Sequence, residues 1–274
     1  MNLKNLNKIM DLPDSGKMPV LFLGHGSPMN AIEENEFVNG FRRVSREISM
    51  PRAILCISAH WETKGTFVTA MENPRTIHDF GGFPQELFDV QYPAPGSPEL
   101  AKQTKDIVTK TDIGLDEKWG LDHGAWSVIK HMYPSANIPI IQLSLDYSKP
   151  ARDHYDLAKQ LSPLRQKGVL IVGSGNMVHN LRLVAWDKLA GKPYAYDWAT
   201  EANEKMKSKI LSGNFEKLID YKNQGKAFDL AIPTPEHYLP LLYTLALKDK
   251  NDETTLFNDL PVGGSLSMTS VKFE

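Results

Sequence analysis

Short apolar runs alternate with segments of helical periodicity along the 274 residues of this chain. Four mostly apolar runs are typical of buried strands: residues 19–23, 53–58, 138–145 and 169–172. Apolar side chains three or four positions apart, as at Phe37, Phe41 and Val44, predict helices over residues 35–48, 97–109, 151–166, 197–210, 214–222 and 234–247. This alternation predicts a single-domain, three-layer α/β/α fold around a central, largely parallel or mixed sheet.

Local signals add detail to this scheme. Ser97 and Pro98 fit the cap and first turn of one helix, and Thr234 and Pro235 fit those of another. Further strands are predicted over residues 66–71 and, at the edge of the sheet, 265–273. Residues 1–17 are polar and are expected to be a loose leader. Because no repeat or composition break divides the remainder, residues 18–274 are expected to form one domain.

Residues 72–98 are dense in proline, glycine and aromatic side chains. The segment is too apolar for a disordered linker and too broken for a regular element. A loop of this length in a compact domain is often functional, so it is expected to be an active-site lid. Four aromatic residues would flank a ligand there, or would equally well pack beneath the loop: Phe80, Phe83, Phe88 and Tyr92.

Composition excludes several classes of partner. A net charge of −2 gives no electrostatic footprint for nucleic acid or an anionic membrane. No stretch approaches the roughly 18 apolar residues of a membrane span, and the N-terminus lacks a secretory apolar region. The one cysteine, Cys56, lies in an apolar run and is expected to be a buried structural thiol. A cytoplasmic location is therefore expected.

Four histidines occupy positions at which ligands are commonly bound in α/β proteins. His25, His60 and His179 follow predicted strands, and His237 falls in the first turn of the predicted helix 234–247. Because the carboxyl ends of parallel strands share one edge, residues distant in sequence meet there. Near a helix N-terminus the dipole disfavours imidazolium, which keeps the His237 ring neutral and able to bind a metal. These positions predict a mononuclear metal site.

The other histidines have different interpretations. His123 stands in GLDHG, where the glycine permits close approach to a ligand, so it is a candidate acid/base or substrate contact as well as a structural residue. His78 lies in the expected lid, where a loop hydrogen bond is favoured over substrate contact. His131 and His154 lie on predicted helices beside polar residues, and both are expected to be solvated.

The segments around these residues are LFLGHGSPMN, ISAHW, TIHDFGGFPQELFDVQYPAPGSPELA, GLDHGAW, SGNMVHNLR and PTPEHYLPLLY. Together they resemble the class III extradiol ring-cleavage dioxygenases, in the 4,5-DOPA extradiol dioxygenase branch. The resemblance runs from about residue 18 to residue 273. It is specific because the motifs are long and occur in the same order.

The resemblance implies one divalent metal ion per chain, with Fe(II) for ring cleavage and Zn(II) known at the same position in bacterial relatives. By motif it assigns His25, His60 and His237 as ligands, His179 as a further ligand or the catalytic base, and His123 as a second-sphere acid/base. It implies that residues 18–274 form a catalytic domain that opens DOPA or a related catechol with O2 to a seco-DOPA-type product. The chain is expected to be a monomer or small homo-oligomer.

One departure concerns the third ligand. The wider class uses two histidines and a carboxylate, whereas this branch places His237 in the carboxylate position. Glu236 is adjacent and stays the alternative, although neighbouring helical side chains point about 100° apart. His237 is favoured.

Two other functions use the same histidines. A zinc hydrolase would activate metal-bound water, and a metal-binding protein would carry no catalysis. A dinucleotide fingerprint, a phosphate-binding loop and a nucleophile elbow do not fit, because GSGNMV and GHGSP lack the required spacing.

Overall fold

The computed structural model describes residues 16–189 and 192–274, so the expected leader lies outside the described residues except for its last two. The strands are Val20–Gly24 (β1), Ala53–Thr63 (β2), Thr66–Thr69 (β3), Ile113–Asp116 (β4), Ile140–Asp146 (β5), Val169–Gly175 (β6), Thr254–Phe257 (β7), Pro261–Val262 (β8), Leu266–Ser267 (β9) and Ser270–Phe273 (β10). The helices are Glu36–Glu47 (α1), Gln85–Phe88 (α2), Pro98–Ile107 (α3), His123–Met132 (α4), Ala151–Lys159 (α5), Pro163–Gln166 (α6), Asp197–Leu211 (α7), Phe215–Ile219 (α8), Lys226–Ala231 (α9) and Leu239–Ala246 (α10).

Eight strands form one mixed sheet in the order β4-β3-β5-β2-β6-β1-β10-β7. Its central strands β5, β2, β6 and β1 are mutually parallel. Strand β3 is antiparallel to β5, and β10 is antiparallel to β1. The carboxyl ends of the four central strands therefore lie along one edge, as the alternation of strands and helices predicts.

Alternate side chains of the central strands pack on opposite faces of the sheet. In β1, Val20 and Phe22 belong to one buried cluster, and Leu21 and Leu23 belong to the other. Helices α1 and α4 cover the second cluster, whereas α3, α5, α7 and α10 cover the first. The fold is therefore the predicted three-layer α/β/α arrangement. Cys56 is buried, as expected, and burial raises the pKa of its thiol well above its ordinary value.

Some element predictions are wrong. The helix expected over 151–166 is divided, because Pro163 cannot continue a helix and instead begins α6. The helix expected to begin at Thr234 begins at Leu239, and the Thr234 hydroxyl donates to Oε1 of Glu236 at 2.9 Å. The last strand, β10, lies between β1 and β7 rather than at the edge. Strands β4 and β7 were not predicted, because both are short and only partly buried.

The long loop, residues 72–98, contains only the short helix α2. Its first part is attached to the start of α4: Ile77 N donates to Leu121 O at 2.7 Å, and Leu121 N donates to Arg75 O at 2.9 Å. Trp126 Nε1 also donates to Ile77 O at 2.8 Å. The loop is therefore held firmly on one side of the sheet edge, while residues 81–86 at its tip are mostly exposed.

Within the residues that the structure describes, no helix is both long enough and apolar enough to cross a membrane.

A buried ion pair joins α6 to the segment that follows α10. Arg165 Nη1 lies 2.7 Å from Oδ2 of Asp252, and both side chains are almost completely buried. The same guanidinium donates to Met18 O and Leu247 O, each at 2.7 Å. The pair therefore fixes the chain just before β1 to the end of α10.

We expect Asp252→Ala to lower the free energy of unfolding by about 3–5 kcal/mol, because it leaves a buried guanidinium without its counter-charge. Glu216→Ala is the matched control, since it removes the exposed partner of Arg152 and should cost at most about 1 kcal/mol. Urea unfolding measures both. Equal losses in the two variants would contradict the role given to the buried pair.

Candidate active site

The carboxyl edge of the parallel strands brings the candidate histidines together. His25 follows β1 directly, and its backbone N–H donates to Gly175 O at the end of β6 at 3.1 Å. His60 lies within β2, where the pairing with β5 is interrupted between Ile57 and Glu62. Such an irregularity re-aims a side chain. His60 is thereby directed to the same edge as His25.

The remaining histidines arrive from segments that pack on this edge. His237 lies in the turn two residues before α10, rather than in its first turn as predicted, and its carbonyl accepts from Asn176 N at 2.8 Å. His179 follows β6, and its backbone N–H donates to Ala231 O at 2.9 Å. His123 is the first residue of α4, whose N-cap is Asp122. All five rings thus meet at one place.

Three of the rings form a nearly equilateral triangle. The centroids of His25 and His60 are 5.0 Å apart, those of His25 and His237 are 5.2 Å apart, and those of His60 and His237 are 5.0 Å apart. Imidazoles that surround one ion at metal–nitrogen distances of about 2.0–2.1 Å have rings at this kind of spacing. The triangle joins the three rings that the motifs assign as ligands, whereas the ligand atoms that lie within 4.8 Å of one another are those of His25, His60 and His123 in one group and of His179, Glu236 and His237 in another.

Hydrogen bonding fixes the tautomer of His25. Nδ1 of His25 lies 3.1 Å from the Ser174 hydroxyl, which donates its own proton to Gly124 O at 2.5 Å. A serine hydroxyl has one proton, so it must accept from Nδ1–H of His25. The proton is on Nδ1, and Nε2 of His25 therefore presents a lone pair to the site.

Carboxylates stand at Nδ1 of two other rings, where Ser174 stands at Nδ1 of His25. Asp79 lies behind His60, and Glu236 lies behind His237. Oδ2 of Asp79 lies 3.3 Å from Nδ1 of His60, and Oε1 of Glu236 lies 3.1 Å from Nδ1 of His237. A carboxylate beside Nδ1 favours the tautomer that carries its proton there. Nε2 is then free in both rings. Glu236 is thus engaged with His237, in the position of an outer partner.

The free nitrogens face one another. Nε2 of His25 and Nε2 of His60 are only 3.1 Å apart. With both protons on Nδ1 the two lone pairs repel at this distance, and a cation between them removes the repulsion; a proton on one Nε2 would make the contact a hydrogen bond instead. Burial lowers the pKa of His25 well below its ordinary value, with the neighbouring His60 and His237 adding to the effect. A proton is therefore a poor occupant, and a divalent metal ion fits the site.

Burial also lowers the pKa of the other candidate ligands. The pKa of His60 falls to about 4, through burial and then the charge of His123. Burial likewise lowers that of His179 to about 4 and that of His237 well below its usual range. All four rings are neutral at pH 7, which is the form that binds a metal.

His179 is held differently from the other rings. It stacks on His237 with centroids 3.5 Å apart and planes within 7° of parallel. A metal ion lies in the plane of an imidazole that binds it, and two parallel stacked planes share no point. The stacking favours a place for His179 beside the ligands, although its ligand atom lies within 4.8 Å of those of Glu236 and His237.

Close packing at the edge depends on two glycines. A Cβ on Gly124 would lie 2.5 Å from Oγ of Ser58 and 2.8 Å from Cδ2 of His60. A Cβ on Gly175 would lie 2.2 Å from the carbonyl oxygen of His237. Larger residues would push the rings apart.

Two contributors to the site, Asp79 and Ser174, are not among the predicted site residues. Asp79 contacts both His60 and His123, and Ser174 orients His25. Neither position had a signal in the apolar pattern, although Asp79 lies within the conspicuous TIHDFGG motif. His78 makes the expected loop hydrogen bond, with Nε2 2.9 Å from Val90 O.

Two expectations of solvated histidines are wrong. His131 is buried, with Nε2 2.7 Å from Asn30 O, and His154 is buried with Nδ1 3.0 Å from the Tyr243 hydroxyl. Polar neighbours in sequence misled the prediction, because on these helices the histidines occupy the inward face.

The aromatic residues of the long loop separate into two groups. The Phe80 ring lies 5.5 Å from His123, 5.1 Å from Phe88 and 5.5 Å from Phe83, and so borders the site. Tyr92 is buried beneath the loop and its hydroxyl donates to Tyr133 O at 2.8 Å. The first group is placed to meet a ligand, whereas Tyr92 has a packing role.

We expect the metal-free chain to lose stability as the pH falls from about 6.5 towards 4. The folded-state pKa values of His60 and His179 are about 4, below the ordinary value of about 6.5 in an unfolded chain. The unfolded chain therefore takes up protons that the folded chain excludes, and stability falls across this window. Urea unfolding of chelator-treated protein at pH 7.5, 5.5 and 4.5 measures the effect. His60→Gln should weaken the dependence of the free energy of unfolding on pH. A urea midpoint that stays constant from pH 7.5 to 4.5 would refute the expectation.

Comparison with known proteins agrees with this geometry. Residues 19–262 match the family model of the catalytic LigB subunit of aromatic ring-opening dioxygenase. A 4,5-DOPA dioxygenase extradiol of Escherichia coli is 48% identical over 262 residues, with 94% of this chain and 95% of that protein covered. The 4,5-DOPA dioxygenase extradiol of Beta vulgaris is 37% identical, with 92% and 95% covered. A crystal structure of an uncharacterized protein from Escherichia coli K12 superposes with a TM-score of 0.82 at 42% identity, covering 94% of this chain and all of that one.

Proposed function

The chain belongs to the family of the catalytic LigB subunit of aromatic ring-opening dioxygenase, and from this premise we propose that it opens DOPA or a related catechol between carbons 4 and 5. It is an extradiol ring-opening dioxygenase, a metal-dependent enzyme that acts on a small-molecule catechol and O2. Family membership favours this function over the zinc hydrolase and over metal binding without catalysis. The observation that carries the proposal is the convergence of the Nε2 atoms of His25 and His60, with His237 completing the triangle.

We assign His25, His60 and His237 as the ligands and Fe(II) as the ion for turnover, with Zn(II) an ion that the same site would hold. Fe(II) bound there would supply open positions for both catechol oxygens and O2, together with the electrons that O2 requires. Zinc suits the same imidazoles but passes no electrons. The three neutral rings add no negative charge, which favours a catecholate as the bound form of substrate.

His179 is the proposed base. Its ring plane is parallel to that of His237, which supports a place beside the metal ligands rather than among them. Burial has lowered the pKa of this neutral imidazole. It therefore accepts a proton only when a hydroxyl is brought close and made acidic. We propose that it takes the second phenolic proton of the bound catechol.

His123 is the proposed second acid/base. Its Nδ1 lies 3.0 Å from Oδ2 of Asp79 without a well-aligned hydrogen bond, so the charge of the carboxylate favours the proton on that side. Nε2 is then available to exchange a proton with substrate. The edge contact with Phe80 at 5.5 Å places the ring beside the aromatic wall that would border a catechol.

Other properties stay predictions. We propose that residues 18–274 form the catalytic domain, that the chain is a monomer or small homo-oligomer, and that it is cytoplasmic. Sedimentation analysis and cell fractionation test the last two.

The test of the proposed reaction is anaerobic loading with one metal at a time. We expect the Fe(II) protein to consume O2 with DOPA and form a yellow product, because only this ion supplies the electrons. The Zn(II) protein should bind the catechol, seen by its absorbance change, without consuming O2. Equal O2 uptake with either ion, or none with any catechol of a panel, would contradict the proposal.

Alanine variants separate the ligands from the acid/base residues. His25→Ala, His60→Ala and His237→Ala should lose both metal and turnover, because each removes one of three neutral ligands. His123→Ala and His179→Ala should keep the metal and lower turnover roughly 10²–10⁴-fold if each transfers a proton. Metal analysis of the purified variants and O2 uptake measure the two effects.

Loss of metal from His179→Ala would instead make that residue a fourth ligand. Loss from His123→Ala with retention in His237→Ala would make His123 the third ligand, since the ligand atoms of His25, His60 and His123 lie within 4.8 Å of one another, whereas that of His237 is grouped with those of His179 and Glu236. His78→Ala is the matched control, because that ring bonds to the loop and should leave metal binding unchanged.

A further inference from the structure

We propose that Asp79 is a positioning residue that orients a metal ligand and an acid/base histidine with one carboxylate. Its Oδ2 lies 3.3 Å from Nδ1 of His60 and 3.0 Å from Nδ1 of His123, and its Oδ1 accepts from the backbone N–H of His123 at 2.9 Å. The rings of the two histidines are 3.8 Å apart. The inference rests on the proposed metal site for its effect on catalysis.

The first consequence is a choice of tautomer in each ring. An unprotonated Nδ1 would be repelled by a carboxylate at these distances, so the charge of Asp79 favours the proton on Nδ1 of both rings, although Nδ1 of His123 is not aligned for a hydrogen bond. His60 then directs Nε2 towards His25, and His123 keeps Nε2 free as a proton acceptor. Without Asp79, either ring could place its proton on Nε2. In His60 this would block the nitrogen that binds the metal, and in His123 it would remove the proton acceptor.

The second consequence is that the two rings are positioned together. Asp79 stands two residues beyond Ile77, which is bonded both to Leu121 and to the indole of Trp126. These are the same residues that flank His123 at the start of α4. The loop is therefore fixed in position relative to the helix, and the carboxylate of Asp79 projects from the loop to the Nδ1 edges of His60 and His123.

The charge of Asp79 also favours the metal-bound state. The side chain is 18% exposed, so its charge is only partly screened by solvent. A carboxylate behind a ligating imidazole makes the ring a better donor, and losing such a partner typically costs about 10–100-fold in metal affinity.

Asp79→Asn is the sharpest change, because it keeps the shape and removes the charge. We expect its Zn2+ dissociation constant, measured by chelator competition, to rise about 10–100-fold. Asp79→Asn should weaken Zn2+ binding to the same extent when His123 is already alanine. The reason is that the carboxylate affects the metal by orienting the ligand His60, and not by way of His123. With saturating Fe(II), kcat should fall while KM for DOPA changes less, since His123 acts after binding. Glu86→Gln, an exposed carboxylate of the same loop, is the matched control and should match the parent chain.

A tautomer measurement on the metal-free protein tests the proposal independently of metal and turnover. In ¹⁵N-edited NMR spectra, His60 and His123 of the parent chain should both show a protonated Nδ1 and a bare Nε2, and Asp79→Asn should shift them towards the other tautomer. A bare Nδ1 in the parent chain, or unchanged tautomers and Zn2+ affinity in a folded Asp79→Asn, would overturn it. If His25→Ala and His60→Ala bind Zn2+ normally, the metal site itself is wrong, and the tautomers still decide the role of Asp79.

Discussion

The constraint on which the site depends is the repulsion between imidazole lone pairs that the fold forces together. Nε2 of His25 and Nε2 of His60 face each other at 3.1 Å in a buried place where neither ring holds a proton readily. An acceptor behind each ring favours the proton on the outer nitrogen, through a hydrogen bond to a serine hydroxyl for His25 and through the charge of a carboxylate for His60. The polypeptide thus creates a position for a cation by fixing the outer faces of the rings.

The parallel sheet is what brings these rings close together. Strands β1 and β6 run side by side, so His25 leaves one strand where Ser174 stands on its neighbour. The interruption in β2 brings His60 to the same place, and the absence of a side chain at Gly124 leaves room for its ring. The turn before α10 likewise packs His237 against Gly175, where a side chain would clash with the His237 carbonyl oxygen. Rigid strands thus supply the pair of facing nitrogens, and a packed turn supplies the third ligand.

The sequence predicts the parts of this site that depend on periodicity. Buried strands have an unmistakable apolar run, so the positions of His25 and His60 at one sheet edge follow from the pattern. His237 was expected inside a helix, because Thr234 and Pro235 resemble a cap. In the structure the Thr234 hydroxyl bonds to Glu236, and the helix begins later.

Asp79 could not be predicted in the same way, because its contacts join a loop to two distant elements and leave no periodic trace. The burial of His131 and His154 was missed for a related reason: which face of a helix turns inward depends on tertiary packing. The motifs from the resemblance supplied residue identities at the site, but they carried no information on which nitrogen of each ring faces inward. That information is in the outer partners, which only the structure displays.

The outer partners also determine the charge that the site presents to its substrate. Asp79 and Glu236 lie behind two of the three proposed ligands, so a divalent ion and these two carboxylates together carry no net charge. Burying such a neutral set costs far less than burying an isolated ion. A catechol that binds as a dianion would leave the site at −2 unless its protons remained nearby. His179 and His123 are the rings placed to retain them. The two carboxylates therefore favour a mechanism in which the phenolic protons stay within the site, ready to be returned when the ring opens.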